Sequence, residues 1–132
     1  MVRLVNISDE EWQNRKNLAA SYHLAHYFGW SDIIWNHITA KTSKIKNTFL
    51  INKFGLRYDE ITASNLLEID LEGNIINGDG DINYTGFVIH GAIHKAKKKY
   101  SLCNAHTFKS WSCCIMFKKR FGANYTRCRN VS

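Results

Sequence analysis

The sequence predicts a single α/β layered domain in which a helix, several short strands and a second helix leading into a further strand pack around one core. Three observations carry that expectation. A helical stripe follows a capping signal near the N-terminus, short runs in the middle alternate β-branched or aromatic residues with polar ones, and a second helical pattern begins at Thr85. At 132 residues and 45% hydrophobic content the chain is long enough for one core and too apolar for a disordered segment. It carries no internal repeat and no low-complexity stretch.

The first helix opens at SDEEW, where Ser8 stands three residues before Glu11, the spacing of a capping box. Trp12, Leu18, Ala19, Tyr22, Ala25 and Tyr27 give it an apolar stripe, and Gly29 marks its end. SDIIWNHITAK and NTFLINK then read as half-buried strands joined by a hairpin through KTSKIKN. LLEIDLEGNII reads as strand, turn and strand, because Gly73 and Asn74 tolerate the left-handed backbone of a tight turn, and GDGD at 78–81 is a second loop. In TGFVIHGAIHKAKKKYSLC, Phe87, His90, Ile93, His94 and Lys97 recur at helical spacing, with Lys97, Lys98 and Lys99 near the negative end of the helix dipole. A strand is expected to start in the apolar run that follows.

The formal net charge of +7 invites a nucleic-acid partner until its position is considered. Residues 1–103 hold 12 basic and 11 acidic groups, whereas residues 104–132 hold 6 basic and none acidic. Cys103, Cys113, Cys114 and Cys128 all lie in the final 30 positions, so charge and cysteine content change together. The tail run WSCCIMF has neither helix nor strand periodicity, and no nucleic-acid module is present; specific nucleic-acid binding is not expected. No apolar run reaches the roughly 18 to 20 residues needed to span a bilayer and MVRLVNISDEEW lacks a signal-peptide pattern, which predicts a cytoplasmic protein with no membrane partner.

Several constellations could carry chemistry, and each has a plainer reading. His90 and His94, four apart, could share a metal, but no glutamate separates them and Gly91-Ala92-Ile93 reads as packing. Asp59 and Glu60 read as the cap of a short helix rather than an acid/base pair. Asn36, His37 and Thr39 offer polar groups at a strand end, where either a satisfied turn or an anionic ligand fits. His106 with Cys113 and Cys114 departs from the usual zinc spacings.

LAASYHLAHYFGWSDIIWNHITAK, FLINKFGLRYDEITASNLLEIDLEGNII and NYTGFVIHGAIHKA together closely resemble the class II aldolase and adducin head family, over about Leu18 to Cys103. The resemblance implies an α/β/α three-layer fold with a mainly antiparallel central sheet, incomplete here, and tetrameric assembly in intact relatives. For enzymatic members it implies a divalent metal, commonly Zn2+, that stabilises an enediolate formed from a sugar phosphate. Asn36, His37 and Thr39 match the family's phosphate-binding turn, with His37 where aldolases often have asparagine; the Asn52 to Gly55 loop and Thr85 are further substrate contacts by the same resemblance. The aldolase catalytic glutamate falls at Gly86, so the likeness is nearer the adducin branch, and loss of that acid is typically worth ~10²- to 10⁴-fold in rate.

The family continues with a His-x-His metal strand and a phrase of the form KAGVAVS, and here the chain departs from it: it has His106 but neither the second histidine nor the phrase. Back-translation from Asn104, with each codon begun at its second base, permits MHTHSKAGVAVSCLKKGL; Trp111-Ser112 forces the glycine and Met116-Phe117 forces the cysteine. The expectation is therefore a partial family domain at 1–103 and an out-of-frame tail at 104–132. With no intact metal site and His106 only a lone candidate ligand, no cofactor is expected, and the chain reads as an inactive truncated fragment. The alternatives are a metal-dependent lyase acting on a small sugar phosphate and an adducin-head-like oligomerisation module. Loss of the family's later strands predicts open sheet edges and poor solubility.

Overall fold

The computed structural model describes residues 7–42, 47–96, 100–108, 111–118 and 126–127, the last three segments by their backbone. Helix α1 (Asp9–Tyr27) begins where its capping signal stands, the Ser8 hydroxyl accepting a 3.1 Å hydrogen bond from the Glu11 N–H. It ends in a Schellman arrangement: Gly29 takes φ +70°, its N–H donates to His26 O, and Trp30 N–H donates to Ala25 O. The buried face is not quite the expected stripe. Leu18, Ala19, Tyr22 and Ala25 belong to it, but Tyr27 is 81% exposed, and the turns nearer the N-terminus bury Glu11 and Arg15 instead. These two pair at 3.0 Å, and Arg15 Nη1 also donates to Leu66 O at 2.7 Å, which offsets part of the cost of burying the charges; Arg15 Nη2 is buried without a hydrogen-bond partner.

Strands β1 (His37–Lys41), β2 (Thr48–Ile51), β3 (Leu67–Asp70) and β4 (Ile75–Asn77) form an antiparallel meander. The SDIIWNHITAK stretch becomes strand only at His37, since residues 33–35 form a turn in which Ile33 takes φ +44°. The β1–β2 pairing fits the expected hairpin, whose residues 43–46 lie outside the described residues. Between β3 and β4, Gly73 takes φ +92° and the Asp70 carboxylate accepts from the Glu72 and Asn74 N–H groups, closing the expected turn. A single 3-10 turn, Tyr58–Glu60, contains Asp59 and Glu60, which bond to Arg57 as a local cap rather than as an acid/base pair.

Helix α2 (Tyr84–Ala96) starts at an Asn83 cap, whose side chain accepts from the Gly86 N–H at 3.2 Å. The end of the expected helix at 97–99 lies outside the described residues. Strands β5 (Tyr100–Phe108), β6 (Trp111–Lys118) and β7 (Thr126–Arg127) complete a sheet of order β4-β3-β2-β1-β5-β6-β7, antiparallel throughout. One expectation is corrected here: WSCCIMF is strand, in register with both β5 and β7. The strand expected after α2 is β5, which pairs with β1. Strand pairing is a non-local backbone property that side-chain alternation reports only where one face is wet.

Both faces of the sheet centre are covered, so β1, β2 and β3 are buried almost without alternation, unlike the half-buried strands expected. On the α1 side, Leu18, Tyr22 and Ala25 pack with Ile38, Ala40, Leu50, Tyr58, Ile61 and Leu66. On the other side, Phe49, Ile51, Leu67 and Ile69 pack with Leu71, Ile82 and Phe87. The result is the α/β/α arrangement with an antiparallel sheet. Among the described residues no helix is long and apolar enough to cross a membrane.

Candidate functional site

The period of two along β1 sends Ile38 and Ala40 toward α1 and leaves His37 and Thr39 on the α2 side. Opposite them, the four-residue spacing of α2 stacks His90 and His94 on one helical face. Three imidazoles and one hydroxyl are thereby buried together between helix and sheet; His37, Thr39, His90 and His94 are at most 4% exposed.

Thr39 is the hub. Its Oγ1 lies 2.7 Å from His90 Nδ1 and 2.8 Å from His94 Nε2. The His37 and His90 rings meet edge to face at 5.9 Å, and Phe49 lies against His94 at 4.8 Å. Burial drives all three imidazoles toward their neutral forms. It brings His37 down to about 4, His94 to about 4 with Lys41 adding to the effect, and His90 to about 3 with His37 and His94 adding to it. The His37 Nε2, His90 Nε2 and His94 Nδ1 atoms are buried without a hydrogen-bond partner.

Gly86 explains how the helix comes so close. A Cβ built there would stand 2.7 Å from His37 Cδ2 and 2.8 Å from its Cγ, so only glycine lets α2 pass over the imidazole. Any longer side chain at position 86, a carboxylate included, would have to displace His37. The position that the resemblance assigns to a catalytic acid is therefore filled from the opposite strand.

The other expected contacts separate into two groups. Asn36 is buried and its Nδ2 donates to Trp30 O at 3.2 Å; Asn52 is buried and its Oδ1 lies 2.9 Å from the Tyr22 hydroxyl, which also bonds to Ile38 O. Gly55, at φ +85° with open space where a Cβ would stand, and Thr85 in the first turn of α2 lie at the surface. His106 lies on β5 opposite Cys113 of β6, and its side chain is outside the described residues.

The aldolase-type metal does not fit the side chains described. No group of three His, Cys, Asp or Glu among the described residues is placed to hold an ion, and Thr39 already occupies one nitrogen each of His90 and His94. The sequence identifies the histidine pair and Thr39 separately. It does not show that they meet, because 51 and 55 residues separate the bonded partners; Asn83, of a residue type favoured at N-caps, is the local signal that could have marked the start of α2.

Comparison with known proteins agrees with this architecture. The family described as the class II aldolase and adducin N-terminal domain matches residues 16–129. An adducin-related protein of Schizosaccharomyces pombe is 48% identical over 101 residues, covering 71% of this chain and 31% of that protein. The crystal structure of an aldolase II superfamily protein from Pseudomonas syringae superimposes with a TM-score of 0.76 at 42% identity, over 79% of this chain and 42% of the other. An L-fuculose 1-phosphate aldolase from Glaciozyma antarctica PI12 gives 0.68 at 28% identity, over 79% and 43%. The chain thus spans less than half the length of the proteins it matches. By the extent of the family match and the shared fold, this chain belongs to the class II aldolase and adducin N-terminal domain family.

Proposed function

We propose that this chain is a catalytically silent, adducin-like form of the domain and does not act as an aldehyde-lyase. One observation carries the reading: Gly86 lies against the His37 ring, where the family's catalytic acid would have to project. Without a carboxylate to move the substrate proton, lyase chemistry loses ~10²- to 10⁴-fold in rate even where a metal is supplied. The inward-facing Asn36, His37, Thr39 and Asn52 hold the fold together in this reading. The surface positions Gly55 and Thr85 are where a small anionic ligand would be met. Cytoplasmic residence, with no membrane or nucleic-acid partner, completes the proposal.

The activity test is incubation of the purified chain with zinc and a ketose 1-phosphate, with aldehyde release as the readout. No release is expected; sustained turnover overturns the reading.

For residues 104–132 we propose translation in a shifted frame, from one extra base after the Cys103 codon. The support is the joint change in charge and cysteine content and the compatibility of the second-base reading with HTHSKAGVAVS. The family match and the strand pairing both run past Cys103, so the proposal rests on those sequence features alone. Nucleotides after Cys103 that encode HTH in the second frame support it; nucleotides that cannot do so refute it.

A second reading, an oligomerisation module, is favoured by an exposed apolar rim: Tyr27, Phe28, Trp30, Ile33 and Trp35 are each at least 48% exposed. A metal-free tetramer in size-exclusion chromatography with light scattering would support this reading, and a monomer or an aggregate would count against it.

A further inference from the structure

Helix α2 meets β1 through groups that can titrate. Gly86 lies against the His37 ring, and His90 and His94 stand 2.7 and 2.8 Å from the Thr39 hydroxyl. That hydroxyl has one proton to give, so it donates to one ring nitrogen and accepts an N–H from the other. The closed arrangement therefore needs both rings neutral.

The seam has no place for a further proton. If the ring that accepts from Thr39 is protonated, both rings aim an N–H at one oxygen and the hydroxyl proton loses its acceptor. If the donating ring is protonated, the new N–H stands on an outward nitrogen, His90 Nε2 or His94 Nδ1, and both of these are buried without a partner, as is His37 Nε2. Among the described residues no carboxylate pairs with any of the three rings. The other charges on the elements around them do not help: Lys41 on β1 and Lys95 on α2 are cations, and Glu68 of β3 pairs across the sheet with Leu50 of the α1-side cluster. In the β3–β4 turn, Asp70 is bonded to backbone N–H groups and Glu72 is exposed. Strand β5 brings Tyr100, Cys103 and His106, with Cys103 in register with Thr39, and their side chains lie outside the described residues.

We propose that the seam between α2 and β1 is an acid-released latch: protons taken up by the His37, His90 and His94 cluster lift α2 off the sheet while the α1 layer stays in place. Burial holds all three imidazoles well below their ordinary value of 6.5, so the open form binds protons first as the pH falls. The latch is closed above about pH 6.5 and is released progressively below it. Release uncovers Phe87 and its apolar bed of Phe49, Ile51, Leu67 and Ile69. The cluster under α1 contains neither histidine nor carboxylate and has no reason to open with it. The latch is independent of lyase activity, because it uses neither a carboxylate at position 86 nor a metal.

The test is amide hydrogen exchange of the full chain, read helix by helix from pH 7 to pH 5 and divided at each pH by the intrinsic exchange rate. The α2 amides are expected to lose protection by at least about 20-fold over that span, the gain from releasing one histidine held near 4, while the α1 amides keep theirs. Loss of protection in both helices at the same pH, or none in α2, overturns the latch. A double variant, His90→Asn with His94→Gln, keeps amide groups where Thr39 bonds and removes two titrating rings. Its α2 is expected to stay closed to lower pH, and a folded double variant that opens over the same range as the original chain would overturn the latch as well. If the variant does not fold, the exchange of the original chain decides alone.

Discussion

The two faces of the sheet are built from different material. Toward α1 the seam is an apolar interior of Leu18, Ile38, Leu50, Ile61 and Leu66, with Tyr22 and Tyr58 meeting edge to face at 4.6 Å. Toward α2 the same strands present His37 and Thr39 to His90 and His94, and only the β2–β3 half of that face is apolar. The first face gives a stable scaffold. Both faces bury polar atoms without a partner, Arg15 Nη2 and the Tyr58 hydroxyl on the first and one nitrogen each of His37, His90 and His94 on the second, but only the second gathers them into one cluster of titratable groups, which costs stability and is a common mark of a site.

The largest expected effect lies on the scaffold side. Arg15→Ala leaves Glu11 buried without its partner and removes the bond to Leu66 O, so a loss of about 3 to 5 kcal/mol in urea-unfolding stability is expected. On the other face, Gly86→Ala forces a methyl group into the His37 ring and is expected to cost about 1 to 3 kcal/mol by overpacking. His37→Ala in the same chain opens the space and is expected to recover much of that loss; equal losses with and without His37 would show that the contact is not the cause.

The two faces also separate by pH. Histidines held well below their ordinary value of 6.5 favour the neutral folded state, and the unfolded chain binds protons first as the pH falls. Their contribution is fully present above about pH 6.5 and declines between there and about pH 4 to 3, by up to about 1.4 kcal/mol per pH unit for each group. Urea midpoints measured from pH 8 to pH 4 are expected to be flat down to about 6.5 and then to fall. A triple His37, His90 and His94 to Asn variant that kept the same slope would place the acid sensitivity elsewhere.

The smallest effect concerns the turn before β1. Ile33 holds φ +44°, a conformation that costs a β-branched residue roughly 1 to 2 kcal/mol, while glycine adds about 0.5 to 1 kcal/mol of unfolded-state entropy. Ile33→Gly is expected to raise stability by about 0.5 kcal/mol, within reach of a thermal melt. Destabilisation instead would mean that the Ile33 side chain contributes packing.

What is legible in the sequence is what is local. Ser8 three before Glu11, Gly29 after the stripe, Gly73 in its turn and the four-residue spacing of His90 and His94 each act within one element, and each is found in place. Glu11 and Arg15 escape because a stripe is sought among apolar residues, and an ion pair inside depends on the Leu66 carbonyl 51 positions away. The meeting of Thr39 with two histidines, and of Gly86 with His37, escapes for the same reason: the sheet and α2 bring them together only after folding. Strand β6 is hidden because its run lacks the alternation that a half-wet strand displays.

His37, His90 and His94 are packed and neutral, two of them bonded to Thr39, and the expected His-x-His strand retains only His106, so the chain should be without tightly held zinc. Elemental analysis of the full chain, purified without chelator and dialysed against zinc-free buffer, decides the matter. Zinc far below one equivalent per chain is the expected result, and one equivalent of tightly held zinc, lost when His90 or His94 is replaced, would contradict it.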